Sequence, residues 1–228
     1  LNAAMRAPTA GNMMTYSIIT VRKEETKKKL AISCDNQPFI AKAPLILIFL
    51  ADYSKWYKYY EVNGVREFQK DRGETFAGPS AGSFVLAVQD AVIAAENAVI
   101  AAESLGIGSC YIGDIMEQKE YHKTLFNLPE YVFPVAMLTL GYYPEDYMVP
   151  LKERFAEKYV VFEERYNELS KEDIDDMFRK RDQLFTAKNK YNAKNYAQMH
   201  YNFKVKAPFS KEMQRSVEEA LKEWDKKE

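Results

Sequence analysis

Three short segments of this sequence carry residue types that could hold a ligand. The first is the run Pro8-Thr-Ala-Gly-Asn12, which lies shortly before a β-branched strand pattern beginning at Tyr16. Small residues, a proline and an asparagine at such a turn leave backbone amides and a hydroxyl free to bind a polar ligand chain. The same composition is also typical of an ordinary connector, so both interpretations stay open at this point.

The second segment runs from Gly106 to Asp114, G-I-G-S-C-Y-I-G-D. Its pattern predicts a short strand, and the glycine at position 113, close to the end of that strand, allows a ligand to approach the main chain closely. An amide aimed at a ring nitrogen there could tune the electronics of a bound cofactor. The alternative is a strand that only joins two tight turns.

The third segment contains Lys152 and Arg154, which are separated by one residue. In an extended chain, residues i and i+2 point to the same side, so both cations would face one anion. Arginine binds an anion as a fork, and lysine binds it as a point charge. Because this part of the chain is dense in charge, the pair also fits a chance K-x-R in a solvated segment.

Several motifs of known chemistry are absent from the sequence. The glycines at positions 106 and 108 do not begin G-x-G-x-x-G, because position 111 is Tyr and because they open a strand rather than a helix. The sequence also lacks G-x-x-x-x-G-K-[ST], H-E-x-x-H and G-x-S-x-G. The sequence has only two Cys and two His, and neither histidine stands in H-E-x-x-H, so no metal is expected. His122 and His200 are predicted to be surface or packing residues.

The elements that must position these segments alternate between strand and helix. Strands are predicted at Tyr16–Val21, Leu45–Ala51 and Val135–Leu140. The last two are continuous apolar runs, which indicate strands covered on both faces. Residues 24–31 are predicted to form a charged helix. Residues 61–82 contain several glycines and are predicted to be a long loop, of the kind that serves as a lid or a binding loop.

The stretch from Phe84 to Leu105 is predicted to be a long apolar helix. Its polar pairs recur every seven residues with Ala, Val and Ile between them: Gln89–Asp90, Glu96–Asn97 and Glu103–Ser104. Only a narrow polar stripe would face water, so the helix needs cover on most of its circumference. We expect it to form a subunit interface, and a central helix within one subunit is the alternative. A charge in each heptad argues against a membrane span.

Composition divides the chain of 228 residues into two unlike parts. Charged side chains number 31 in residues 1–150 and 34 in residues 151–228, and no glycine follows Gly141. The second part therefore favours helix and is too charged to bury a core by itself. We expect it to pack on the core or on a partner subunit, with a solvated helical tail as the alternative.

The overall charge and the cysteines exclude several classes of protein. The net charge of −1 gives no sign of a protein that binds nucleic acid or a membrane surface. No apolar run reaches the roughly 20 residues that span a bilayer, and no secretory signal is visible. Cys34 and Cys110 fit a reducing compartment, although the two could also pair. We expect a cytoplasmic protein.

The order of these segments resembles that of the FMN-dependent nitroreductase family. The residues that carry the resemblance are A-P-T-A-G-N before the first strand, D-N-Q-P-F-I-A-K-A-P at 35–44, the Ala-rich helix closing with G-I-G-S-C-Y-I-G-D, then V-A-M-L-T-L-G-Y and K-E-R. The resemblance implies an α+β fold, with a mixed sheet flanked by helices, and an intertwined homodimer with FMN at the subunit interface. We expect residues 1–157 to be this FMN-binding core and residues 158–228 to be the charged helical extension.

The resemblance also implies which residues hold the flavin. Pro8, Thr9, Ala10 and Asn12 match the family's P-S-x-x-N turn, which contacts the flavin and its ribityl chain. Gln37 matches a family Asn or Gln that hydrogen-bonds the edge of the isoalloxazine ring.

Five further positions follow from the same resemblance. Tyr111, Ile112 and Gly113 match the strand that lies against the ring, with a main-chain N–H at Gly113 or at the next residue near N5. Lys152 matches the lysine near the pyrimidine side of the ring, and Arg154 matches the arginine at the phosphate. Family members begin with an R-R-S-x-R segment that is absent here, so we expect the natural protein to carry a further N-terminal segment.

The activity that the resemblance implies is an FMN-dependent oxidoreductase. NAD(P)H would give a hydride to flavin N5, and an electron-poor acceptor such as a nitroaromatic or a quinone would then take the electrons, with no catalytic side chain required. The partners implied are a second copy of the chain and a small-molecule acceptor, with no nucleic acid and no membrane. Two alternatives stay open: reductive dehalogenation or flavin fragmentation within the same family, and a non-enzymatic flavin-binding or helical interaction protein.

Overall fold

A four-stranded sheet lies at the centre of the first part of the chain in the computed structural model, which describes residues 1–148 and 150–226. The strands are β1 (Tyr16–Val21), β2 (Leu45–Asp52), β3 (Ile107–Ile112) and β4 (Val132–Tyr142). Their order in the sheet is β1-β2-β4-β3. All the predicted strands are confirmed, with β4 extending further at both ends than its apolar run indicated.

The strand directions correct one expectation and confirm the fold class. Each hydrogen-bonded pair of the described strands is antiparallel, so the expected mixed sheet is wrong for this part of the chain. β2 and β3 run in the same direction, which a helical connection between them allows. They are not neighbours, because β4 lies between them and is antiparallel to both. The α+β class is confirmed.

The helices account for most of the remaining described chain. Helices α1 to α10 span, in chain order, Asn2–Met5, Glu24–Ser33, Pro38–Lys42, Ser54–Val62, Val65–Asp71, Ala81–Glu103, Lys119–Phe126, Lys171–Asp182, Tyr196–His200 and Pro208–Trp224. Residues 61–82 are therefore not one long loop, because α5 occupies the middle of that range. The run V-R-E-F-Q-K-D favours helix, and the glycines only flank it: Gly64, with φ of 68°, separates α4 from α5.

Both faces of the sheet are covered, as the continuous apolar runs predicted. Alternate residues of a strand point to opposite faces. Leu47, Phe49 and Ala51 of β2 belong to the core cluster on the side of α6. Ile46 and Ile48 belong to the cluster on the side of α2 and α3. The sheet is thus the middle layer of the first part of the chain.

Helix α6 has one buried face and one exposed apolar face. The buried face consists largely of alanines, which are Ala87, Ala91, Ala94, Ala95, Ala98 and Ala102. The exposed face carries large apolar side chains, which are Val85, Leu86, Val92, Ile93 and Ile100. The helix is therefore a core helix on one side, and its other side offers the apolar surface that the sequence assigned to a subunit interface.

By length and composition alone, α6 could also cross a membrane. Its most apolar window contains no more than two charged residues, and 39% of that window is buried in the structure. The charge in each heptad argues against a span, although the count of charges stays low enough to pass this test. The buried alanine face against the sheet is the arrangement of a core helix.

Contacts divide the chain into two units, Leu1–Pro144 with Glu212–Glu228, and Glu145–Lys211. The boundary expected between residues 157 and 158 stays a prediction. Among the residues of the second unit that the structure describes, helix is confined to α8, α9, a π-helical turn at Tyr201–Val205, the beginning of α10 and one short turn at Glu157–Tyr159. The expectation of helix is wrong for most of residues 151–170, where Phe155 contacts Phe178 of α8 and Tyr159 hydrogen-bonds Asp176 of the same helix. These contacts outweigh the helix propensity of the charged residues.

The last turns of α10 belong to the core of the first unit. Trp224 is only 1% exposed, and its ring meets that of Phe84 edge to face at 5.1 Å. Glu223 forms ion pairs with Lys119 at 2.5 Å and with Lys123 at 2.6 Å. Burial of a large aromatic ring beside these paired charges fixes this segment against α7 and the sheet.

Candidate functional site

The turn at Pro8–Asn12 is held by a buried carboxylate of α6. Asp90 accepts hydrogen bonds from the hydroxyl of Thr9 at 2.5 Å and from the backbone N–H of Ala10 at 2.9 Å. It also accepts from the backbone N–H and the hydroxyl of Thr15, at 3.1 and 2.8 Å. Burial opposes the charge, but these hydrogen bonds together lower the pKa of Asp90 below its ordinary value. The carboxylate is therefore ionised and satisfied.

This anchoring corrects part of the sequence-based interpretation of the turn. The hydroxyl of Thr9 and the N–H of Ala10 are directed at Asp90, so they are not the free donors that the composition suggested. The side chain of Asn12 is exposed at the tip of the turn, where Gly11 and Asn12 both have φ of 56°. Asparagine tolerates this left-handed conformation better than most residues. Asn12 is the polar side chain that the turn offers to a ligand.

A second group of predicted residues meets around one amide. Nε2 of Gln37 donates to Oδ2 of Asp114 at 2.9 Å and to the carbonyl oxygen of Cys34 at 2.9 Å. Gln37 is half-buried, and Asp114 directly follows the exposed Gly113. The structure therefore brings the Gln37 segment next to the end of β3, as a shared ligand would require.

Gly113 and Gly108 have different reasons to be glycine. A methyl group at Gly113 would meet no atom of the described chain within 4 Å. Its conformation does not require glycine either, so this position is open toward solvent or a ligand. At Gly108 the same methyl group would lie 2.4 Å from Cζ of Tyr143, whose ring covers that residue. Gly108 thus serves internal packing, which agrees with the failed dinucleotide pattern.

The two residues before Gly113 present different faces. Tyr111 is exposed by 42%, and its hydroxyl donates to Oε2 of Glu96 at 3.3 Å. Burial of the ring and then the nearby Glu96 charge raise the pKa of Tyr111, so it stays a neutral phenol. The side chain of Ile112 is buried in the core, so only its main chain is available to a ligand.

Beneath Asp114 lies a carboxyl group that the sequence did not single out. Glu117 is 4% exposed, and its Oε1 is one of two buried side-chain polar atoms without a hydrogen-bond partner among the described residues. Burial, followed by the adjacent Asp114, raises the pKa of Glu117 to about 8. Glu117 is therefore protonated at neutral pH. The described chain contains no cluster of His, Cys, Asp and Glu that could hold a metal ion.

Lys152 and Arg154 lie in the second unit, where both are exposed. With Arg179, Lys180 and Arg181 they line a groove of about 650 Å³. Glu153, between the two predicted residues, is paired with Lys180. The predicted roles of Lys152 and Arg154 at a flavin stay predictions.

The histidine rings and the cysteine thiols form none of the hydrogen bonds described for these groups. His122 is fully buried, with Nε2 2.8 Å from the hydroxyl of Ser33, and burial lowers the pKa of its ring. It is a packing residue, as predicted, and His200 is exposed. Cys34 and Cys110 are both free thiols, so they do not pair in this structure.

The sequence did not reveal the roles of the side chains of Asp90, Asp114 and Glu117, although the main-chain N–H of Asp114 was among the predicted flavin contacts. Asp90 had one signal, since it is a lone charge between apolar stretches of α6 and a buried charge needs partners. Asp114 and Glu117 had none, because their contact with Gln37 and with each other depends on how distant segments fold together.

Comparison with known proteins gives a family match. A model of the nitroreductase family matches residues 1–142. The Cr(VI) reductase of Pseudomonas sp. (strain G-1) is 30% identical over 60% of this chain and 53% of its own length. The FMN reductase (NADPH) of Bacillus subtilis (strain 168) is 30% identical over 73% of this chain and 64% of its own length. The chain thus spans less than two thirds of the length of these curated relatives.

Solved structures give the same picture. NfrA2 of B. megaterium superimposes with a TM-score of 0.78 at 30% identity, and the match covers 100% of this chain and 87% of that one. The NfrA1 nitroreductase of B. subtilis superimposes with a TM-score of 0.76 at 25% identity, covering 96% of this chain and 87% of that one.

Proposed function

This chain belongs to the nitroreductase family, and from that premise we propose that it is an FMN-dependent oxidoreductase. It takes electrons from NAD(P)H and passes them to an electron-poor small molecule such as a nitroaromatic or a quinone, in two half-reactions. The name of one relative, FMN reductase (NADPH), supports electron transfer from a pyridine nucleotide, and that of another, Cr(VI) reductase, supports reduction of a small acceptor. The free thiols support a reducing compartment, and we place the protein in the cytoplasm.

The observation that carries this proposal is the contact between Gln37 and Asp114 beside the open main chain at Gly113. An isoalloxazine ring is flat and has N–H and C=O groups along one edge. The amide oxygen of Gln37 accepts no hydrogen bond from the described chain, so it is available to that edge. Gly113 leaves room for a ring to approach its backbone. The donor and acceptor groups present therefore fit FMN.

Each residue has a role that follows from its chemistry. Bound FMN would supply the redox chemistry, taking up a hydride from NAD(P)H and releasing electrons to the acceptor. A main-chain N–H at Gly113 or Asp114 would donate to a ring nitrogen. Lys152 would supply a positive charge to the pyrimidine side of the ring, where negative charge develops. Arg154 would bind the phosphate as a fork.

The turn and the flanking strand complete the binding surface. Pro8, Thr9 and Ala10 shape the turn through the Asp90 anchor, and Asn12 presents its side-chain amide to the ribityl chain. Tyr111 and Ile112 support the ring through the strand. None of these groups has to act as a general acid or base, which agrees with the small number of histidines.

We also infer that two copies of the chain pack through the exposed apolar face of α6. Val85, Val92, Ile93 and Ile100 are each more than 40% exposed on one helix. A contiguous apolar face of this kind marks an interaction surface. The face lies on the helix that anchors the Pro8–Asn12 turn, so an interface there would adjoin the proposed flavin site.

The test is an absorbance spectrum of the purified protein, as isolated and after reconstitution with FMN and gel filtration. The expected result is a protein-bound flavin spectrum that bleaches when NADH or NADPH is added under argon and returns when a quinone is added. A protein that retains no FMN after reconstitution would refute the proposal. Bound FMN that neither nucleotide reduces would leave a flavin-binding protein without this activity.

A further inference from the structure

The orientation of the Gln37 amide is fixed by its two partners. Nε2 lies 2.9 Å from the carbonyl oxygen of Cys34 and 2.9 Å from Oδ2 of Asp114. Both partners are acceptors, so the NH2 group must face them, and a flipped amide would set oxygen against oxygen. Both N–H groups of the side chain are consumed in this way. What Gln37 has left for a ligand is its oxygen, which only accepts.

Oδ2 of Asp114 accepts the hydrogen bond from Gln37, and Glu117 lies next to the same carboxyl group. Glu117 is buried, and its unpaired Oε1 would be costly as an ionised oxygen. A proton on Glu117 gives that group a hydrogen to donate to Asp114, its near neighbour. Because Glu117 keeps its own proton, it adds no negative charge beside the contact between Gln37 and Asp114.

We propose that Asp114 is a positioning residue that locks the Gln37 amide so that the site binds ligands through a ligand N–H donor. The proposal rests on the proposed function, in which the ligand is the isoalloxazine ring of FMN. Oxidised isoalloxazine has one N–H group, at N3, and its other polar edge atoms are acceptors. An amide oxygen presented to that ring would therefore recognise N3–H, and Asp114, together with the Cys34 carbonyl, sets this polarity from outside the contact.

The experiment compares FMN with 3-methyl-FMN, in which a methyl group replaces the N3 hydrogen. Dissociation constants are measured by quenching of flavin fluorescence for the wild type, Asp114→Ala, Asp114→Asn and Gln37→Leu. We expect the wild type to bind FMN about tenfold more tightly than the methyl analogue, as for one well-placed hydrogen bond. In Asp114→Ala this preference should shrink to about threefold or less. Gln37→Leu should show no more preference than Asp114→Ala.

Asp114→Asn is the matched control, because Asn can accept from Gln37 through Oδ1 and donate to Glu117 through Nδ2. It should keep the wild-type preference. If Asp114→Ala bound FMN and discriminated as strongly as the wild type, the positioning role would be refuted while the proposed function stood. If the wild type bound neither flavin, the proposed function itself would fail.

A measurement on the unmodified protein covers the case in which Asp114→Ala does not fold. In the wild type, hydrogen exchange of the Gln37 side-chain NH2 is compared by NMR with that of Gln183, an exposed glutamine. We expect both Gln37 protons to exchange at least about tenfold more slowly, because both are hydrogen-bonded. Equal exchange rates for the two glutamines would show that the amide is not locked and would overturn the proposal.

Discussion

The hydroxyl of Thr9 donates a hydrogen bond to Oδ2 of Asp90 at 2.5 Å, although 81 residues of chain separate the two. The same carboxylate holds Ala10 and Thr15, so one side chain of α6 fixes the turn and the entry into β1. The exposed apolar face lies on that helix as well. One element therefore both shapes a proposed ligand turn and offers a proposed subunit interface.

The first prediction concerns Asp90→Asn. The variant keeps the size of the side chain but presents an NH2 group to donors that come from Thr9, Ala10 and Thr15. We expect the free energy of unfolding to fall by about 2–4 kcal/mol, because buried donors lose a charged acceptor. Urea denaturation followed by circular dichroism measures this change.

Glu67→Gln is the control for the Asp90 prediction. Glu67 is exposed on α5, and its neutralisation should change the unfolding free energy by less than about 0.5 kcal/mol. An Asp90→Asn variant as stable as Glu67→Gln would show that the Asp90 contacts contribute nothing to folding.

The second prediction is a pH dependence that arises from Glu117. Its pKa is about 8 in the folded protein against 4.5 as the ordinary value, so the folded state binds the proton more tightly between these two pH values. Stability therefore falls as pH rises through this window, because the unfolded chain releases the proton first. The charges facing Glu117 are those of Asp114, Asp35 and Glu212, with the Cys34 thiol nearby. All of them disfavour a second negative charge.

The Glu117→Gln variant isolates this effect, because glutamine donates to Asp114 at every pH. We expect the melting temperature of the wild type to fall between pH 5 and about pH 8 relative to that of the variant. The comparison is needed because neutral, buried His122 contributes a slope of the opposite sign. Parallel melting curves for the two proteins across this range would contradict the assignment.

Much of the fold could be predicted from the sequence, because local patterns carried it. A few consecutive residues are enough to predict three of the elements: the apolar runs predict strands β2 and β4, and the charged run predicts helix α2. α5 is hard to predict, because Gly64 and Gly73 indicate a loop although they only flank a short helix. Strand order could not be predicted, since it depends on which distant strands pair.

The site was predictable only in its backbone positions. Gly113 and Gln37 could be placed by resemblance, and the structure brings their segments together. The orientation of the Gln37 amide depends on Asp114, which lies 77 residues away along the chain. No spacing rule connects the two. The hydrogen bond from the hydroxyl of Thr9 to Asp90 could not be predicted either, since the sequence of the turn does not reveal the buried acceptor on α6.

The third prediction concerns the exposed face of α6. Ile100 is 61% exposed, and Ile100→Glu would place a charge inside the proposed interface, where it would lack a partner. We expect the wild type to sediment as a dimer and this variant as a monomer. Val62→Glu, at a similarly exposed apolar position on α4, should leave the dimer intact. A monomeric wild type would refute the interface.

The fourth prediction concerns the proposed phosphate ligand Arg154. Arg154→Ala should weaken FMN binding by about 1.5–3 kcal/mol if the arginine makes a charge-assisted hydrogen bond. Fluorescence titration at low and high salt measures the loss. Arg165→Ala removes an exposed arginine of the same unit and should leave the affinity unchanged. Equal FMN affinities for the two variants would show that Arg154 does not bind the phosphate.

The last prediction separates two glycines of the same strand region. Gly113→Ala adds a methyl group that meets no described atom within 4 Å, so stability should change by less than about 0.5 kcal/mol. If the flavin occupies this open space, the added methyl group would clash with it. The dissociation constant for FMN should then rise about tenfold or more.

Gly108→Ala should behave in the opposite way. Its methyl group would displace the ring of Tyr143, whose hydroxyl donates to Oε1 of Glu103 at 2.9 Å. We expect a loss of about 1 kcal/mol in the free energy of unfolding with FMN affinity unchanged. Paired denaturation and titration experiments on the two variants decide the matter. If Gly113→Ala bound FMN as tightly as the wild type does, the ring would not approach the main chain at that residue.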